Sequence, residues 1–305
     1  VIKFWLWDFP QIIGLRSREM TENITKESRI CKNLDCKKQF EAEVIELLGA
    51  KLLRGDGYCQ ECAKKMFEEE EAHRIVVEKA DIDKKRRHWR ENCGIPPKFI
   101  NEDFSTFEKK RQPEAFKWCW EYAEKYPLPD HEGQPYFYER GYPSLLLFSN
   151  NSWGVGKTHL ACAICNRILD RWDGQPMACP VKLLSEPELF MRIQATYNYS
   201  FEEKQLRESE SDILNGLIAA KMLVLDDVGK RRVLDPRFVQ RILFTIVDGR
   251  YKAERPMVIT ANLNPAKLKA YLSGGVGDNA IYNRLIEMCK GKSLQIDGES
   301  YRREK

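Results

Sequence analysis

Two glycines precede a lysine and a threonine in the run GVGKTHLA at 154–161. Gly154 and Gly156 let a backbone approach an anion with no Cβ in the way. Lys157 supplies a point charge for the β- and γ-phosphates of a nucleotide, and Thr158 a hydroxyl for magnesium. The candidate phosphate loop therefore runs from Asn151 through Ser152, Trp153 and Val155 to His159. Asn151 stands where the pattern G-x-x-x-x-G-K-[ST] has its first glycine. Asparagine tolerates left-handed backbone angles better than most residues, so the turn survives. Downstream, MLVLDDVG at 222–229 carries four apolar residues into Asp226 and Asp227. Asp226 is suited to hold magnesium through a water, and Asp227 to position or deprotonate an attacking water. Turn aspartates after any strand would read the same way alone; the phosphate loop upstream favours the reactive reading.

A second chemistry-bearing group lies near the start. Cys31 and Cys36 form one pair and Cys59 and Cys62 another, with a turn at Gly55, Asp56 and Gly57 before the second. Two close pairs across a hairpin-like insert are the layout of a structural zinc held by four thiolates. So short a segment cannot bury a stable core alone, so the metal would supply folding energy. His73 is the one histidine near enough to compete as a ligand. Cys162 and Cys165 also have C-x2-C spacing, but they fall in the helix after the phosphate loop and read as core thiols.

These groups need elements to position them. LLLF at 145–148, VKLL at 181–184, MLVL at 222–225 and MVIT at 257–260 read as buried parallel strands, with helices between them. Ser185 with Glu188 three residues on reads as a capping box, with Pro187 in the first turn. The pattern predicts an α/β fold, a central parallel sheet flanked by helices. Residues 63–92 are densely charged and read as a solvated linker helix, stopped by Gly94, Pro96 and Pro97. The expected organisation is a leader at 1–19, non-native or disordered, then a small four-cysteine zinc module at 20–66. A charged helical linker at 67–93 and the ATPase domain at 94–305 follow. Met20 reads as the start of the ordinary chain; the rival reading of 1–19 is a partner-binding aromatic peptide.

Composition bounds the rest. The net charge of +4 with 31% charged residues permits a basic face without demanding nucleic acid. Ten cysteines without a secretory signal favour a reducing compartment, hence a cytoplasmic location. No apolar run reaches the roughly 18 residues of a membrane span. Lys230, Arg231 and Arg232 form a basic loop able to track single-stranded DNA backbone. The run KKRRHWR at 84–90 offers the same, with Trp89 to stack a base. For both runs a solvated basic surface is the plainer reading.

From Cys93 onward the chain resembles the DnaC/DnaI/IstB group of AAA+ ATPases. The resemblance rests on GIPPKFINEDFSTF at 94–107, the phosphate loop and its strand, LVLDDVG, FTIVDGRYKAERPMVITANL at 244–263, DNAIYNRLIEMC at 278–289 and DGESYR at 297–302, in that order. It implies that 94–107 packs near the adenine. It implies that Asn262 is the sensor-1 residue orienting the attacking water, Arg284 an arginine finger reaching a neighbouring subunit's nucleotide, and Arg302 the sensor-2 arginine. Read on their own, Asn262 could cap the helix near Pro265, and Arg284 could be an ordinary surface arginine. Aspartate at 227, shorter than the glutamate of many such ATPases, implies slow hydrolysis. The implied function is an ATP-dependent replicative helicase loader, with a replicative DNA helicase, single-stranded DNA and further copies of itself as partners. The implied cofactors are ATP, Mg2+ and structural Zn2+. Two alternatives stand beside it: an IstB-like transposition ATPase that binds target DNA, and a nucleotide-gated binding protein with negligible hydrolysis.

Overall fold

The computed structural model describes residues 24–47, 50–54, 56–129, 138–150, 152–230, 235–274 and 277–301. The chain divides into two compact units, Val1–Lys79 and Ala80–Lys305. Segment 1–19 lies outside the described residues, as do Gly55, Asn151, Arg231, Arg232 and Arg302.

In the first unit, β1 (Ile24–Ile30), β2 (Gln39–Leu47) and β3 (Ala50–Arg54) form an antiparallel sheet in that order. Among the described residues of this unit the buried apolar side chains are Ala42, Val44 and the cysteines Cys31, Cys59 and Cys62. Helix α1 (Gln60–Asn92) begins in this unit and ends in the next.

The second unit is built on five parallel strands. They are β4 (Leu145–Phe148), β5 (Val181–Ser185), β6 (Met222–Val228), β7 (Met257–Ala261) and β8 (Ser293–Gln295). Their order is β5-β6-β7-β4-β8. The four apolar runs form strands because both faces are covered, so alternation is unnecessary. On one face pack α2 (Pro113–Lys125) and α3 (Lys157–Arg171), with Leu160, Ile164, Ile168 and Tyr122 buried. On the other pack α4 (Glu186–Tyr197), α6 (Glu210–Ala219), α7 (Pro236–Lys252), α8 (Pro265–Leu272) and α9 (Ala280–Cys289). The short α5 (Phe201–Leu206) links α4 to α6. The chain leaves β4, an interior strand, and crosses to the edge strand β5, so ligands are expected at the carboxyl ends of these strands.

Two expectations change. The last turns of α1 are only partly solvated: Trp89 is buried against Trp172, ring centroids 4.6 Å apart, and is unavailable for a DNA base. The start of α4 is half of a capping box, with Ser185 Oγ accepting the Glu188 N–H. Among the described residues no helix is long and apolar enough to cross a membrane.

Candidate nucleotide site and cysteine cluster

After β4 the loop turns on Gly154 (φ 77°) and Gly156 (φ 96°), a left-handed conformation that favours glycine. Gly156 is the N-cap of α3 and offers no side-chain cap, so the first N–H groups of the helix remain for an anion. Lys157 is buried and folded over its own loop, its Nζ donating to Ser149 Oγ (2.7 Å) and the Ser152 carbonyl (3.0 Å). Thr158 Oγ1 lies 2.9 and 3.2 Å from the two carboxylate oxygens of Asp226. A hydroxyl beside a carboxylate at a phosphate loop is a hard-oxygen donor set suited to magnesium.

Asp226 sits on β6 and is 5% exposed. Burial, then the charge of Asp227, raises its pKa, against hydrogen bonds from Thr260 and Thr158. Immediately beyond it the β6–β7 register slips between Leu225 and Val228. Asp227 takes φ 59° there, a costly conformation for a non-glycine residue that neighbours must enforce. The bulge re-aims its side chain. Its N–H donates to Thr260 Oγ1 (2.9 Å), while its carboxylate accepts from Asn262 Nδ2 (3.3 Å) and Lys230 Nζ (2.5 Å). The two aspartates therefore differ in environment: one faces Thr158 from the interior, the other lines the cleft.

A cleft of about 370 Å³ opens over the loop, with Phe99, Phe107, Trp153, Asn262 and Tyr301 among its walls. The entry segment is fastened by long-range contacts. Gly94 lies so close to β5 that a Cβ would fall 1.8 Å from the Leu183 carbonyl. Asn166 Nδ2 donates to the Glu102 carbonyl (2.8 Å), and His159 Nε2 lies 2.9 Å from the Asp103 carbonyl. Phe107 packs edge-on to His159. At the other end of the chain Asp297 Oδ1 accepts the Asn150 N–H (2.9 Å), and the Tyr301 N–H donates to the Gly154 carbonyl (3.1 Å). The segment after β8 is thus strapped onto the phosphate loop.

In the first unit the Sγ atoms of Cys31, Cys36, Cys59 and Cys62 all lie within 4.8 Å of one another. The Cys36–Cys59 separation of 3.7 Å is close to the edge, about 3.8 Å, of a tetrahedron with zinc–sulfur bonds of about 2.3 Å. The Cys59 N–H points at Cys31 Sγ (3.3 Å) and Asn33 Nδ2 at Cys62 Sγ (3.5 Å), the kind of donors that support thiolates. The Cys62 backbone N–H, followed by the neighbouring thiols, draws the Cys59 thiol down to about 7. The residues fit zinc.

The sequence profile of the IstB-like ATP-binding protein family matches residues 146–305. The chain belongs to that family. It is an AAA+ ATPase of the DnaC/IstB kind, and family membership supports a nucleotide-hydrolysing enzyme. It is 28% identical over 151 residues to the replicative helicase loader DnaC of Escherichia coli K12, covering 49% of this chain and 53% of the relative. It is 31% identical over 150 residues to the uncharacterized protein YdaV of the same organism, covering 49% and 52%. The chain thus spans about half the length of the curated relatives it matches. The crystal structure of the DnaC helicase loader aligns with TM-score 0.49 and 20% identity, over 66% of this chain and 100% of that one. That of DnaI aligns with TM-score 0.45 and 19% identity, over 67% and 93%.

In this IstB-like chain Ser152–His159, Asp226, Asp227 and Asn262 converge at the carboxyl ends of β4, β6 and β7. Asn262 is not a helix cap, because Asn264 takes that position and accepts the Lys267 N–H. Arg284 stands apart from the cleft lining: its Nε pairs with Asp248 (3.2 Å), and its guanidinium lies over Phe244. Cys162 and Cys165 are fully buried core thiols, their pKa values pushed up by burial. His73 is outside the cysteine cluster. Sequence reasoning singled out neither Glu186 nor Asn166, and it quoted Thr260, Phe107 and Asp297 only within longer stretches. Thr260 was readable only as a β-branched strand residue, and nothing local in the others signals which backbone they would reach.

Proposed function

We propose that this chain binds and slowly hydrolyses ATP as a replicative helicase loader. Thr158 and Asp226 hold magnesium, which when bound supplies positive charge at the β- and γ-phosphates. Lys157 and the α3 N-terminus bind the phosphates, and the 94–107 segment lies beside the adenine. Asp227 accepts the proton of the attacking water, and Asn262, hydrogen-bonded to it, orients that water. Arg284 completes the site of a neighbouring copy; its position away from its own cleft supports action in trans. The four-cysteine module holds zinc and grips the helicase, and the loop beginning at Lys230 meets single-stranded DNA; DNA or the partner stimulates hydrolysis, in the cytoplasm of a bacterium or a phage-infected bacterium. The observation that carries this reading is the meeting of Thr158 with Asp226 and of Asp227 with Asn262 at three neighbouring strand ends. Support for the loader role comes from the DnaC relative and from the cysteine cluster ahead of the ATPase core. A second reading is an IstB-like transposition ATPase that binds target DNA, in keeping with the IstB-like description of the matching family.

The test is retention of a replicative helicase on the full-length immobilised protein, with and without a zinc chelator, and helicase loading by Lys157→Ala. The loader reading expects chelator-sensitive retention and a Lys157→Ala protein that fails to load. No retention in either condition, or normal loading by Lys157→Ala, would sink it.

A further inference from the structure

Beneath the Asp227 bulge lies a carboxylate that the hydrolytic scheme leaves unused. Glu186 is the first residue of α4, directly after β5, and is 0% exposed. Its Oε2 accepts the Gly229 N–H at 2.8 Å. The Tyr271 hydroxyl of α8 adjoins it, and Asp227 is the charged group facing it from β6. A buried acidic side chain at a helix start usually caps that helix. Here Ser185 does so, and Glu186 reaches across to the main chain leaving β6 instead.

That main chain is the part of the site that most needs holding. Asp227 (φ 59°) and Gly229 (φ 78°) are both left-handed, and such backbone at a non-glycine persists only where its surroundings over-determine it. One restraint precedes the carboxylate, the Asp227 N–H on Thr260 Oγ1. Two follow it, the Gly229 N–H on Glu186 and the Lys230 N–H on the Asp227 carbonyl (3.2 Å), of which only the first ties the chain to another element. A Cβ on Gly229 would meet Leu263 Cδ1 at 2.3 Å, so the chain at this point is also closely packed. The Asp227 side chain projects from between the Thr260 and Glu186 pins into the cleft.

We infer that Glu186 is a positioning residue for hydrolysis, pinning the chain beyond Asp227 so that its carboxylate stays aimed at the mouth of the phosphate loop. It touches neither nucleotide nor water and acts only through the Gly229 amide. This rests on Asp227 being the base at the cleft.

Because the pin needs an acceptor oxygen at one distance, substitutions that keep or retract that oxygen separate positioning from bulk. Glu186→Gln retains it; Glu186→Asp withdraws it by one methylene; Glu186→Ala removes it. Phosphate release under steady-state conditions and equilibrium binding of a fluorescent ATP analogue are measured on full-length protein, with Asp227→Asn in parallel. The expectation is kcat within about threefold of wild type for Glu186→Gln and about tenfold or more lower for Glu186→Asp and Glu186→Ala, with nucleotide affinity within about twofold throughout. Should Glu186→Ala not fold, the Gln and Asp pair carries the test. Wild-type kcat in Glu186→Asp, or equal losses in Glu186→Gln and Glu186→Asp, would overturn the inference. Wild-type kcat in Asp227→Asn would instead remove the premise about the base, whatever the Glu186 variants do.

Discussion

Arg250→Met should destabilise the second unit by about 3–4 kcal/mol, an effect set by carbonyls rather than by ion pairing. Arg250 is fully buried near the end of α7. Its Nη1 donates to the carbonyls of Leu217 (2.7 Å), Ile218 (3.2 Å) and Ala220 (2.7 Å), and its Nη2 to those of Lys221 (3.2 Å) and Pro256. It thereby closes the last turn of α6, whose carbonyls have no helical partners of their own. Methionine fills similar space but donates nothing. Ile218 O keeps the Arg255 Nη1 donor, and Pro256 O keeps the Leu223 N–H. The loss therefore falls on the carbonyls of Leu217, Ala220 and Lys221, at about 1–3 kcal/mol each if left buried and unpaired. Relief of a buried charge offsets part of this, since burial already pulls the Arg250 pKa down to about 9. Urea unfolding of Arg250→Met against wild type reads the difference. Nucleotide affinity should hold in the folded variant, because these carbonyls lie at the amino ends of β6 and β7, away from the phosphate loop. A loss below about 1 kcal/mol with an unchanged m-value would refute the reasoning.

Three further predictions follow from the same geometry. Gly156→Ala places a Cβ 2.7 Å from Phe107 Cε2 at a φ of 96°, and should lower ATP affinity about tenfold or more in a binding titration while the fold survives. Stripping metal with a chelator should unfold the first unit by circular dichroism and leave nucleotide binding by the second unchanged, because the described residues of the first bury little apolar surface beyond the cysteine cluster. Burial, opposed by the Gly229 N–H and the Tyr271 hydroxyl, raises the Glu186 pKa from its usual 4.5 to about 7. A raised carboxyl favours the folded state while protonated, so its contribution is fully present below about pH 4.5 and lost as pH rises through 7; the shift corresponds to about 3 kcal/mol. Between pH 5 and 8 wild type should lose stability relative to Glu186→Gln, and parallel pH profiles would contradict the assignment.

The parts of this site that lie within one loop or one strand end were legible in the sequence. The phosphate loop, Asp226, Asp227 and the four sheet strands announce themselves through glycine spacing and short apolar runs. The cysteine cluster was legible for the same reason, two close pairs bracketing a turn. What stayed hidden depends on contacts between distant segments. Glu186 and Gly229 are 43 residues apart, and Asn150 and Asp297 are 147 apart. No periodicity connects such pairs. Arg250 lay within a stretch picked out for its resemblance, yet its chemical role, gathering carbonyls from the end of α6 and the turn before β7, is a product of tertiary packing. Trp89 misled in the opposite way: a basic run around it suggested an exposed stacking surface, whereas the helix there is packed against Trp172. The short β8 has only three residues and is defined by its pairing with β4.

The central claim is that Lys157, Thr158, Asp226 and Asp227 form one Mg-ATP hydrolysing site. It is tested most directly by measuring ATP binding and phosphate release together for wild type, Asp226→Asn and Asp227→Asn. The account predicts that Asp227→Asn binds ATP as wild type does but releases phosphate at least about a hundredfold more slowly, whereas Asp226→Asn loses the magnesium dependence of binding as well. Phosphate release at the wild-type rate by either variant would contradict it.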